Sequence, residues 1–253
     1  MQEMEVMSLN FIHAFDLSDD INCWNFVVSN GYIISVDMYA ADGSLKFPSA
    51  RDWPLELLRS NIPPPGTYSP RSLRVLLFGG TISASPFARV YYEGEMESPE
   101  EHERLKGLYK IEVEFEIIRR EINPKAASRL SCIWIAEDSQ QTRDYLKTIL
   151  GNNRYIMDVE IIHNRRLTKA DATWFDKYCY DNRSEFIENY WNGIPSEEPM
   201  WEYLLEGILQ VGTKNQYNYI KDFGAHRKLT SPGTIDPVNC AAINEKTHPL
   251  PKK

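Results

Sequence analysis

The chain has 253 residues, 42% of them apolar and 25% charged, enough for one large domain or two small ones and ordinary for a soluble globular protein. Its net charge of -8 argues against a broad nucleic-acid-binding surface, while leaving room for a local basic groove. Cys23, Cys132, Cys179 and Cys240 are far apart with no C-x-x-C pair, which argues against a zinc site or a disulfide scaffold and fits free thiols in a reducing cytoplasm. No run of 18 apolar residues occurs and the first ten residues lack a signal-peptide core, so neither a membrane span nor secretion is expected.

In chain order, residues 8–17 read as a first strand carrying His13. A short helix or turn follows and ends at Gly31, and residues 32–38 form either a strand or the start of a loop. Residues 42–72 read as a loop-rich insertion broken by Pro48, Pro54, Pro63, Pro64, Pro65 and Pro70, with room for a short helix at 55–59. The insertion is either a lid or a surface embellishment. Residues 73–78 read as a strand, and Gly79 and Gly80 after it form a weak phosphate cradle that lacks the P-loop lysine. Residues 99–106 are an exposed helix start or loop. Residues 108–118 alternate, with Tyr109, Ile111, Val113, Phe115 and Ile117 against Lys110, Glu112, Glu114 and Glu116, which predicts a half-exposed strand.

Residues 128–136 end in a strand, and Asp138 and Ser139 cap a helix over 140–150 that Gly151 closes. Residues 155–162 alternate as a strand, Arg165 and Arg166 follow, and 167–178 read as a segment capped by Asp171. A helix over 182–191 buries Phe186, Ile187 and Tyr190. Pro195 and Pro199 feed the apolar stretch 201–211, a buried strand late in the fold. The sum is an α+β domain with a mixed, antiparallel-rich core over residues 1–212, followed by an irregular tail over 213–253.

Glu202 is the odd residue of that late strand. A carboxylate at the mouth of a central strand is costly unless water, a partner or a substrate meets it. It is either a surface carboxylate at a strand end or a catalytic or ligand-binding group on a rigid element. Glu206 shares its parity and is the reserve candidate.

Three segments together resemble the ADP-ribosyltransferase-like superfamily. Ser128 to Trp134 followed by a helix with Tyr145 resembles its central segment, and 155–162 the strand after it. Tyr190-Trp191-Asn192-Gly193, a short loop and Trp201-Glu202-Tyr203-Leu204-Leu205-Glu206-Gly207 resemble the closing section of bacterial and phage-linked members. At the N-terminus, Phe11-Ile12-His13 and the later Asn30-Gly31-Tyr32 are similar to the first strand and Gly turn of polymerase-like members, although Ala14 and Phe15 stand where a small residue and Gly are usual.

The resemblance implies NAD as substrate and Glu202 as the catalytic carboxylate. It implies Arg129 on the pyrophosphate, Ser131 and His13 as hydrogen-bonding groups, and Trp134 or Tyr145 as the nicotinamide platform. The implied acceptor is a macromolecule, either a nucleic acid or a protein. The basic pairs Arg119-Arg120 and Arg165-Arg166 are available to guide a strand. The implied role is a toxin or anti-phage defence effector, for which a neutralising antitoxin or chaperone is the expected partner. A binding module without catalysis and an NAD glycohydrolase are the competing readings.

Overall fold

The computed structural model describes residues 10–17, 20–41, 49–59, 99–150 and 154–226. The chain runs through β1 (Phe11–Asp16), α1 (Asp20–Val28), β2 (Tyr32–Ile34), α2 (Val36–Ala41), a 3-10 turn (Ala50–Asp52) and α3 (Leu55–Arg59). It continues with α4 (Pro99–Ile122), β3 (Ile133–Glu137), α5 (Gln140–Leu150), β4 (Arg154–Asp171), α6 (Ala172–Asp181), α7 (Ser184–Trp191), β5 (Trp201–Val211) and α8 (Lys214–His226). The expected strand at 73–78, the Gly79 and Gly80 cradle, most of the 42–72 insertion and the tail beyond 226 lie outside the described residues.

Among the described residues, the five strands pair antiparallel throughout. β5 is the hub: Tyr203 to Leu205 pair with β3 on one side, Ile208 to Gln210 pair with β2 on that same side, and β4 runs along the other. β4 is long enough to serve two neighbours, pairing β1 through Val159 and β5 from Val159 onward. Since β1 also pairs β3, the sequence β1, β3, β5, β4 returns to β1 and the sheet closes on itself. Closure removes sheet edges that would otherwise leave backbone groups unpaired.

The alternation of β5 sends its side chains to two cores. Tyr203, Leu205 and Leu209 join Phe15, Ile133, Ile135 and Met157 in a cluster closed by Phe26 of α1 and Ile220 of α8. Leu204 goes the other way, with Ala170 and Cys132, against Phe115, Phe175, Phe186, Ile187, Tyr190 and Trp191 of α4, α6 and α7. A third cluster packs Trp53 and Leu58 on Leu105, Tyr109 and Val113 of α4. Each fully buried Leu or Phe contributes roughly 1.5–3 kcal/mol, against less than about 1 kcal/mol for an exposed ion pair such as Lys106–Glu103. The clusters therefore hold the layers together.

Two expectations are corrected. Residues 108–118 are not a strand but the middle of the 24-residue α4. The alternation misleads because the buried face of this helix is partly charged. Leu105, Tyr109, Glu112, Val113, Phe115, Glu116 and Arg119 are its buried side, at helical spacing. Glu112 and Glu116, expected to face water, are 4% and 0% exposed. Residues 214–226, expected as irregular tail, are α8, which packs on α1 through Ile220. Its signals were local ones: the Thr213 hydroxyl accepts from the Gln216 N–H, and Tyr217, Ile220 and Phe223 recur every third residue.

A candidate active site at the mouth of β5

Glu202 is the second residue of β5, and its approach is fixed by Asp171. Asp171 closes β4, caps α6 by accepting from Thr173 N–H (3.0 Å), and accepts from Ser196 N–H (2.7 Å) and Met200 N–H (2.9 Å) of the loop that enters β5. Burial pushes its carboxyl pKa up, but hydrogen bonds from Ser196, Met200 and Thr173 hold it below the usual range. The stability it contributes is therefore present above a pH of about 4 and is lost as pH falls through the folded pKa. We expect Asp171→Ala to cost about 3 kcal/mol in urea unfolding at neutral pH, since it removes the cap and strands two loop donors. The gap to wild type should narrow at low pH, and an unchanged gap would sink the charge argument.

Around Glu202 the side chains form one connected group. Arg129, 1% exposed, donates from Nη1 to Glu202 Oε1 (2.8 Å) and from Nε and Nη2 to the two oxygens of Glu112 (2.9 and 3.0 Å). The Tyr190 hydroxyl donates to Glu202 Oε1 at 2.5 Å and lies 2.6 Å from Arg129 Nη1. The Arg129 guanidinium lies 4.1 Å from the Phe175 ring centre and 5.8 Å from that of Trp134. Burial opposes its charge, but Glu112, Tyr190 and Glu202 more than offset this and hold its pKa well above the ordinary value. Burial, then Glu202, pushes the Tyr190 hydroxyl well up, so it stays a donor.

Exposure separates the carboxylates. The Glu202 side chain is 20% exposed, against 5% for Glu112 and 0% for Glu116 and Glu206. Glu202 is thus the carboxylate of these clusters that a ligand can meet. Tyr145 of α5 lies within electrostatic reach of it. Burial, followed by Asp176 and Glu202, raises the phenol pKa, and its hydroxyl points at Asp176 from 3.5 Å.

The structure brings Glu202, Arg129, Trp134 and Tyr145 to one side of the sheet and leaves two expected residues elsewhere. His13 shares parity with Phe15, which packs in the first core, whereas Glu202 shares parity with Leu204 in the second. The two therefore face opposite sides of the sheet, and His13 Nδ1 lies 2.7 Å from the Trp134 carbonyl. Ser131 is fully buried, 3.4 Å from Glu206. Arg129, expected on a pyrophosphate, spends its fork on Glu112 and Glu202. Glu112 was missed because its segment read as a strand, and Tyr190 because an apolar stripe explained it. Only the Tyr hydroxyl, which needs a partner when buried, hinted otherwise.

A second group surrounds Glu206, which accepts from Arg166 Nη1 (2.7 Å), Ser128 N–H (2.8 Å) and Arg51 Nη1 (3.4 Å). Ser128 joins the groups on α4, its hydroxyl donating to Glu116 (2.8 Å), which also holds Arg119 and Arg120. Among the described residues, no helix is long and apolar enough to cross a membrane.

Residues 89–219 match the family described as Protein of unknown function (DUF2441), just over half of the chain. The chain belongs to the DUF2441 family. The DUF2441 segment runs from the residues before α4 into α8 and carries all of Glu112, Arg129, Tyr190, Glu202 and Glu206, whereas His13, Asp37 and Arg51 lie outside it. No curated protein matches the chain.

Proposed function

We propose that this DUF2441 protein is an NAD-dependent ADP-ribosyltransferase acting on a macromolecular acceptor, a nucleic acid or a protein, as a cytoplasmic toxin or defence effector. The observation that carries the reading is Glu202: a partly open carboxylate at the start of a central strand, held from behind by Arg129 and Tyr190. Cleavage of the nicotinamide–ribose bond builds positive charge on the ribose, and a fixed carboxylate stabilises that charge without reorganising. Glu202 supplies it and orients the acceptor nucleophile. Arg129 and Tyr190 are positioning residues that keep the carboxylate in one rotamer, and Tyr145 or Trp134 offers the aromatic surface for the nicotinamide. His13 takes no part in this reading.

One observation favours a binding module without catalysis: Oε1 of Glu202 already accepts from two buried donors, as a purely structural carboxylate does. The experiment is incubation with NAD labelled in its ADP-ribose part and separate pools of protein, RNA and DNA, with nicotinamide release followed alongside. Label should enter one pool, and Glu202→Gln should reduce transfer roughly a hundredfold or more with little change in unfolding temperature. Free ADP-ribose without labelled acceptor would make the protein a glycohydrolase. Absence of nicotinamide release would leave the binding module, and equal release by the variant would take the catalytic role away from Glu202.

A further inference from the structure

Gly207 sits where β4 departs from regular pairing. A Cβ on it would stand 2.1 Å from the His163 carbonyl oxygen, so only glycine admits this approach. Around that contact the β4–β5 register slips twice, between Ile161 and His163 and between Asn164 and Arg166. Consecutive residues of a regular strand point to opposite faces, and bulges re-aim them. Here Nη1 of Arg165 and Nη1 of Arg166 both reach Oδ2 of Asp37, at 2.8 and 3.4 Å. On its other side, Gly207 donates to the Ser35 hydroxyl (2.9 Å) and accepts from Ser35 N–H (3.0 Å), which fixes the start of α2 and Asp37 with it.

The carboxylates behind these arginines are closed to water and the arginines are not. The Asp37 and Glu206 side chains are 2% and 0% exposed, those of Arg165 and Arg166 37% and 25%. Each of these two guanidiniums meets the carboxylates through Nη1 alone, leaving Nε–H and the Nη2 protons of a rigid fork outside those bonds. Arg51, Arg119, Arg120, Arg165 and Arg166 share three buried carboxylates, Asp37, Glu116 and Glu206, with exposed Asp52 3.9 Å from Arg51. Burial lowers the pKa of Arg51 despite Glu206, and Arg119 and Arg166 add to the strain on its charge. Among the described residues, the side chains paired with Arg165 and Arg166 are the buried Asp37 and Glu206. A planar fork with spare donors fits phosphate oxygens, two at a time.

We propose that Arg165 and Arg166, backed by Arg51, bind a small phosphate-bearing ligand. The chain's net charge of -8 disfavours a polyanionic strand as occupant. The site does not depend on Glu202, which lies four residues away from Glu206 along β5, about 13 Å at a strand's rise per residue.

The test is calorimetric titration of the full chain at low salt with inorganic pyrophosphate, and separately with a single-stranded oligonucleotide lacking terminal phosphates. Pyrophosphate should bind, and Arg165→Gln should weaken it roughly tenfold or more at an unchanged unfolding temperature, since Arg166 still meets Asp37. Arg183→Gln, in exposed pairs with Asp181 and Glu185, should leave the affinity as it is. Lack of pyrophosphate binding at millimolar concentration, or equal affinity in Arg165→Gln, overturns the proposal. So does an oligonucleotide that binds and is not displaced by pyrophosphate.

Discussion

Arg129→Met is expected to destabilise the protein by about 3–5 kcal/mol, because it leaves Glu112 and Glu202 without the cation that serves both. Burial decides the size. An exposed pair broken in the same way costs less than about 1 kcal/mol, but the Glu112 side chain is 5% exposed and has no water to replace its partner. Methionine fills much of the same volume among Phe115, Phe175 and Tyr190, so the loss is electrostatic and not a cavity. The pH dependence gives the check. In the variant, a buried Glu112 that has lost the Arg129 cation is harder to keep ionised in the folded state than in the unfolded one, where its pKa is about 4.3, so the loss is smallest below that pH and grows as pH rises. Urea unfolding should therefore show the widest gap to wild type at neutral pH and a smaller one near pH 4. A gap that is constant with pH would mean that packing, not charge, is what Arg129 supplies. Arg129→Lys should recover little, because one ammonium cannot make the fork's two bonds to Glu112 and also reach Glu202.

Gly207→Ala is expected to cost about 3 kcal/mol, the upper end of what inserting one methyl into packed structure costs. The atom it would meet is a backbone oxygen 2.1 Å away and not the yielding end of a side chain. Relief requires β4 and β5 to separate at His163, which also disturbs the placement of Arg165 and Arg166. The natural control is Gly107, in the middle of α4, where a Cβ meets nothing within 4 Å. Gly107→Ala should stabilise by up to about 1 kcal/mol through helix propensity and a stiffer unfolded chain. Opposite signs for the two substitutions in parallel denaturation curves would confirm that the glycine at 207 is required by close approach. A neutral Gly207→Ala would show that the two strands can part without loss.

The sites differ in how visible they were from sequence. Glu202 announced itself as a carboxylate in an apolar strand behind two prolines, and Arg129 as a basic residue just before β3. Their bond to each other spans 73 residues, and Tyr190 reaches Arg129 across 61. No local pattern encodes such a distance. Glu112 was concealed by a charged face that alternates along a helix, where Arg129 on Glu112, and Arg119 and Arg120 on Glu116, offset the burial of the two glutamates.

The sequence alone determined what short-range chemistry controls. The Ser139 cap starts α5, accepting from Thr142 N–H at 3.1 Å, and the Asp171 cap starts α6. The proline-fed apolar run gives β5 its bounds, and Gly31, at φ +85°, closes the turn after α1. Each signal acts within a few residues, so the sequence carries it whole. Tertiary structure decided the rest. Register put His13 and Glu202 on opposite faces. Packing against α3 and α7 turned the alternating stretch of α4 inward. A glycine-tight contact between β4 and β5 set Arg165 and Arg166 side by side on Asp37, 128 and 129 residues earlier. Buried charges must find partners wherever the fold brings them, and that is fixed by strand register and helix packing across the whole chain.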